Sequence, residues 1–158
     1  MDSERNVTES NKDVIRRLLA DVDRGDLDVV ERYYAPSYVD HTPSPVRGLA
    51  PGREGARRAF ALFRQALPDT RHTIEDLIAE GDRVVARISA RGTHTGEIFG
   101  QPPTGRVVTL SGIVIYRILE GRIAERWAER GLGVLDQLGV DVSAAHPGLE
   151  GTNAEDAG

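Results

Sequence analysis

Glu125, Trp127 and Glu129 stand at alternate positions between Arg122 and Arg130. A strand there puts two carboxylates and the only tryptophan on one face, together with Ile123. If that face is the inner one, burial beside an indole raises a carboxylate's pKa unless a cation pairs with it. Such a group suits proton abstraction from carbon near neutral pH. Glu129 is then the first candidate for a catalytic base, with Glu125 and Trp127 against the ligand. The alternative is a solvated face on which both glutamates pair with Arg87 or Arg91 across the sheet. His41, in Tyr38-Val39-Asp40-His41-Thr42-Pro43, is the second catalytic candidate. Loops at the mouth of a scaffold often carry function, and Asp40 or another carboxylate can fix the imidazole tautomer. The same ring could instead cap loop backbone.

Arg87 and Arg91 share one face of a strand and could bind a carboxylate or phenolate, or stabilise an enolate oxygen. His94, in Arg91-Gly92-Thr93-His94-Thr95-Gly96, ends that strand and either holds the turn or reaches a ligand. His72 begins a strand and lines the sheet. Tyr38, Phe60, Phe63, Tyr116 and Trp127 supply flat apolar surface suited to fused rings.

Much is excluded. The sequence has no cysteine, which removes disulfides, thiolate-bound metals and thiol catalysis. Its four histidines are far apart in sequence, so no metal site of ordinary ligand spacing is expected. No glycine-rich phosphate cradle, HExxH or GxSxG motif occurs. Chemistry here is therefore expected to need no cofactor and to rest on side chains acting on a bound small molecule. A net charge of −5 and a pI near 5.4 argue against nucleic acid as a partner. No basic run suggests an anionic membrane surface. No apolar stretch approaches the ~18 residues of a membrane span, and the polar N-terminus lacks a signal-peptide core. A cytoplasmic location is the default expectation.

A chain of 158 residues fits one domain. Residues 1–9 read as a flexible lead. A helix is expected from Ser10, with Val14, Ile15, Leu18, Leu19 and Val22 at helical spacing, ending at Gly25. Asp26 can cap a shorter helix that Pro36 stops. A loop rich in proline and glycine, with a short strand near 38–41, leads to a third helix over about 53–67. The hydrophobic period then changes from about 3.6 to 2. Strands are expected at 71–79, 84–95, 107–119 and 122–130, followed by a short helix at 133–138. Helices gathered before a run of hairpins indicate an α+β domain over residues 10–139, with helices packed on one face of an antiparallel sheet. The acidic, Gly/Ala-rich tail, 140–158, is expected to lack fixed structure.

An ordered set of short stretches carries a resemblance. It comprises Tyr38-Val39-Asp40-His41, Arg91-Gly92-Thr93-His94-Thr95-Gly96, Gly100-Gln101-Pro102-Pro103-Thr104-Gly105-Arg106, Ser111-Gly112-Ile113, Tyr116-Arg117, Gly121-Arg122-Ile123-Ala124-Glu125-Arg126-Trp127 and Leu135-Asp136-Gln137-Leu138-Gly139. In this order they resemble the SnoaL-like polyketide cyclases of the nuclear-transport-factor-2-like superfamily, which also holds ketosteroid isomerases. The resemblance implies a conical fold with a pocket between curved sheet and helices, and a homodimer through the sheet's outer face. It also implies ring closure by intramolecular aldol condensation without metal or cofactor, started by an aspartate near the tryptophan position. No aspartate stands there in this chain: Trp127 is followed by Ala128-Glu129-Arg130-Gly131. Three functions stay open. They are a cyclase-like enzyme whose base is Glu129 or His41, a non-catalytic small-molecule binding protein, and a cofactor-free hydroxylase or hydrolase.

Overall fold

The computed structural model describes residues 1–42, 48–131 and 133–139. The expectations for loop residues 43–47 and for the tail at 140–158 lie outside the described residues. Helix α1 spans Asp2–Asp23 and buries Val14, Ile15, Leu18 and Leu19 along one stripe. It begins well before Ser10, so the helix includes residues 2–9. Asp2 and Glu4 in the first turn face the positive end of the helix dipole.

Helix α2 (Val29–Tyr33) follows a turn in which the Asp26 carboxylate accepts the N–H of Asp28 at 2.8 Å. The next element corrects the expected short strand. Strand β1 runs over Tyr34–Asp40 and includes Pro36, which an edge strand tolerates. After helix α3 (Arg53–Ala66) come β2 (Arg71–Glu80), β3 (Arg83–Thr93), β4 (Val107–Leu119) and β5 (Arg122–Arg130), then the short helix α4 (Gly133–Gln137). The hairpin between β4 and β5 turns on Glu120 and Gly121, both at positive φ, the two-residue geometry that matches strand twist.

The sheet order is β1-β5-β4-β3-β2. Strands β2 to β5 form the expected antiparallel meander, whereas β1 pairs with β5 in parallel. The α1 stripe, with Val29, Val30 and Tyr33, packs on Val84, Ala86, Val114, Tyr116, Ile118 and Ile123 of the inner sheet face. Ala66, Leu67, Ile98, Val108 and Leu138 form a second cluster.

One irregularity decides which side chains reach the interior. Ile118 pairs with Ile123 and Arg117 with Glu125, so Ala124 is an extra residue in β5. Such a β-bulge shifts the alternation by one position. Ile123 therefore points inward, and beyond the bulge Arg126, Ala128 and Arg130 sit opposite the inward Tyr116, Val114 and Gly112.

Asp21 anchors α1 to α2. Its carboxylate is nearly buried and accepts the Tyr33 hydroxyl at 2.5 Å and Arg32 at 2.8 Å, with Arg24 also in contact. The Tyr33 bond, opposed by burial and reinforced by Arg32 and Arg24, holds Asp21 below its ordinary range. A depressed carboxylate stabilises the fold above the unfolded value, about 4. That stability is lost as pH falls through the folded value. Asp21→Asn should cost ~1–3 kcal/mol at neutral pH. In thermal melts the gap between variant and wild type should close below about pH 4, where Asp21 itself takes up a proton. A gap that does not change with pH would show that the charge is irrelevant.

Candidate active site

Between the inner sheet face and helices α1 and α3 lies a cavity of about 450 Å³, within the range of ~300–1,000 Å³ usual for small-molecule sites. Most of its wall is apolar. Leu18, Leu19 and Val22 come from α1, Phe60 and Phe63 from α3, and Ile88, Leu110 and Val114 from the sheet. Tyr34 meets Tyr38 edge-on with ring centroids 4.7 Å apart, and Phe60 packs edge-on against Tyr34 at 6.2 Å.

One end of the cavity is polar. The parallel register of β1 on β5 sets Asp40 beside Arg126, and the guanidinium donates to the carboxylate at 2.7 Å. The other Asp40 oxygen accepts the Thr42 N–H at 3.0 Å, while the Thr42 hydroxyl accepts the N–H of Ala128 at 2.6 Å. The His41 N–H donates to the Arg126 carbonyl at 2.9 Å, so the segment leaving β1 is tied to β5 on both sides. Arg130, Tyr38 and Tyr116 complete this end.

The charges there follow from burial. Burial opposes the Arg126 charge, but Tyr116, Asp40, Tyr34 and Tyr38 outweigh it, so its pKa lies above the ordinary arginine value. Arg130 is exposed overall, but desolvation of the part that lines the cavity and the charge of Arg126 pull its pKa down. The phenols of Tyr34, Tyr38 and Tyr116 are all pushed up, chiefly by burial. They stay neutral and can donate hydrogen bonds. The arrangement is a carboxylate, two cations and neutral phenols around an apolar chamber, which can move a proton and hold an oxyanion. Among the described residues, no three His, Asp or Glu side chains gather as a metal cage requires.

At the opposite edge of the sheet His72 also lines the cavity, and its imidazole Nδ1 lies 2.6 Å from an oxygen of Asp23 at the end of α1.

Several expected site residues lie elsewhere. Tyr38, Phe60, Phe63 and Tyr116 line the cavity, whereas Trp127, Glu125 and Glu129 do not. The bulge at Ala124 turns all three to the outer face, and Glu129 is exposed opposite the exposed Ile113. Glu125 bonds Arg117 at 2.6 Å and His41 at 2.9 Å; Arg117 first and then His41 lower its pKa. His41 contributes to the rim, but its ring is stacked flat on Trp127 at 4.6 Å and bonded to Glu125, away from the chamber. Arg83 lies over the same indole. Arg87 is on the outer face, paired with Asp76 at 2.5 Å, and Arg91 is exposed on that face too. His94 is fully buried, away from the cavity lining. Its Nδ1 meets the Thr104 hydroxyl at 2.9 Å and accepts the Thr104 N–H, pinning the connection between β3 and β4.

Asp40 and Arg126, which line the polar end of the cavity, are not among the residues expected from the sequence to act on a ligand; the signal for them lies in Tyr38 and Asp40, two positions apart on one strand beside β5. Asp23 with His72 left no local signal, because 49 positions separate them.

The model of SnoaL-like polyketide cyclases matches residues 12–138. Aklanonic acid methyl ester cyclase DauD of Streptomyces sp. (strain C5) is 28% identical over 135 residues, 80% of each chain. Among solved structures, TsrD of Streptomyces laurentii superposes with a TM-score of 0.75 at 30% identity, over 84% of this chain and 97% of that one. IdmH of Streptomyces antibioticus, for which a polyketide cyclase activity is suggested, gives 0.71 at 34% identity, over 82% and 99%.

Proposed function

The chain belongs to the SnoaL-like polyketide cyclase family, and from that premise we propose that it closes a ring in an aromatic polyketide by intramolecular aldol addition, with no cofactor. Asp40 removes a proton from a carbon next to a carbonyl. The electrons move to the carbonyl oxygen, and Arg126, with Arg130, stabilises the enolate. The enolate carbon bonds to a second carbonyl carbon of the same molecule. Its oxygen, now an alkoxide, takes the proton back from Asp40, so substrate and product are isomers. The observation that carries this reading is the 2.7 Å contact between Asp40 and Arg126 in a chamber otherwise largely apolar. An acidic C–H and the oxygen that receives its charge are neighbours in the substrate, so base and cation must be neighbours too. As the proton moves to Asp40, negative charge passes to the enolate oxygen within reach of the same guanidinium.

Aklanonic acid methyl ester, the compound named for DauD, is the first probe. Incubation should yield a product of unchanged mass and altered chromatographic retention, at a rate unaffected by chelators. A non-catalytic binding protein is the second reading, favoured by the absence of an aspartate in Ala128–Gly131. Binding without conversion, for this and other aromatic polyketides, would select it.

A further inference from the structure

We propose that Asp23 and His72 form a receptor for an acidic hydroxyl group, a phenol or enol, at the end of the cavity away from Asp40. This rests on the reading of the chamber as a site for a fused-ring small molecule and deepens it. The ligand is then an elongated polyphenol, held at both ends.

Asp23 closes α1 and His72 opens β2. The two Asp23 oxygens accept the backbone N–H of His72 at 3.2 and 3.0 Å, and one of them also meets the ring Nδ1 at 2.6 Å. The backbone bonds already join helix to strand. The ring bond adds something else: a carboxylate oxygen at that distance requires the proton on Nδ1, which in the neutral ring leaves the Nε2 lone pair as an acceptor. Both side chains are 19% exposed, and nothing among the described residues bonds Nε2. His72 stands opposite Ala90 on β3, and both line the cavity.

The neighbourhood selects the ligand chemistry. A nitrogen that only accepts, backed by a carboxylate, favours a ligand O–H of high acidity and disfavours a bare carbonyl or a carboxylate. The wall beside it is flat and apolar, from Val22, Ile88 and Ala90. Arg64 on the cavity wall and Arg71, whose guanidinium donates to the Asp23 carbonyl at 2.9 Å, are the nearby cations. The nearby Asp26 is bound to Arg32. The sheet order puts β1 with Asp40 and β2 with His72 at opposite edges, four strand steps apart. At ~4.8 Å per step the separation is roughly 19 Å along the curved sheet. Ligands of several fused rings match that layout; a single ring does not.

The test compares 1,8-dihydroxyanthraquinone with unsubstituted anthraquinone, by calorimetry and visible absorption. The wild type should bind the dihydroxy compound at least ~10-fold more tightly, the worth of one charge-assisted hydrogen bond. Its visible band should shift to the red, because the phenol passes its proton to Nε2 and leaves a phenolate against the imidazolium held by Asp23. His72→Phe should abolish the preference and the shift, so that the two compounds bind with equal affinity. Asp23 acts through His72, and its readout is the tautomer. In ¹⁵N-histidine-labelled wild type, NMR should find the His72 proton on Nδ1, and Asp23→Asn should lose that bias. A preference that survives His72→Phe, a ligand-free proton on Nε2, or no binding of either probe overturns the proposal. The tautomer is read on the wild type, so the result stands even if a variant fails to fold. Ring closure without hydroxyl preference would sink the receptor alone. Hydroxyl preference without ring closure would sink the cyclase reading alone.

Discussion

Asp40→Asn should reduce ring-closing turnover by at least ~100-fold, the lower end of what general acid–base catalysis contributes. Ligand affinity should hold within a few-fold. The amide keeps the size of the side chain and its acceptor for the Thr42 N–H. It cannot take a proton from carbon. Steady-state kinetics on aklanonic acid methyl ester, with binding measured separately, divides the two effects. The control is Glu129→Gln. Glu129 is exposed on the outer sheet face, so its loss should leave turnover within about twofold of wild type, as for surface substitutions away from a site. Full activity in Asp40→Asn would remove Asp40 from the mechanism and leave Arg126, Arg130 and the phenols as binding groups only.

Arg126→Met should be the most destabilising change at the site. The two partners' side chains are only 16% and 24% exposed, and they meet at 2.7 Å. Removing the cation leaves a carboxylate without its partner beside three buried phenols. Breaking a buried pair from one side costs ~3–5 kcal/mol. Each kilocalorie is worth roughly 2–4 °C in a domain of this size. A fall in Tm of at least about 6 °C is therefore expected. The double variant Asp40→Leu/Arg126→Met should recover much of the loss, since it removes the stranded charge together with its partner. A loss under ~1 kcal/mol in the single variant would show that water already solvates Asp40 there.

Much of the scaffold was legible in the sequence because its signals are local. The limits of β4 and β5 follow from alternation and from Glu120-Gly121, a turn that demands positive φ. The α1 stripe follows from helical spacing, although the polar first turns of that helix carry no apolar signal and read as a flexible lead. The parallel pairing of β1 has no sequence mark, since its partner is the last strand. The candidate site was less legible for one reason above others. Reading faces from alternation assumes an unbroken register, and Ile123 does point inward as expected. One residue later the register slips, so every assignment from Glu125 onward inverted. Alternation alone therefore puts Glu125 and Glu129 on the face of Ile123, where the structure has Arg126 and Arg130.

The slip at Ala124 has a consequence for how such a cavity changes over evolutionary time. β5 carries two complete liners for the same chamber: an acidic, indole-bearing one from Glu125, Trp127 and Glu129, and a cationic one from Arg126 and Arg130. The bulge selects the second. Closing the bulge with every residue kept and the β4–β5 hairpin held would pair Ala124 with Arg117, present the first liner and strand Asp40 without its guanidinium, whereas deleting Ala124 would leave the facing from Glu125 onward unchanged. A change that only straightens the strand would thus convert a chamber suited to anionic intermediates into one suited to cationic ones, with no substitution at any lining position. Residues that hold or release the bulge are then a faster route to new ligand chemistry than substitutions in the lining, and relatives that differ near this point should be compared by facing, not by aligned letter.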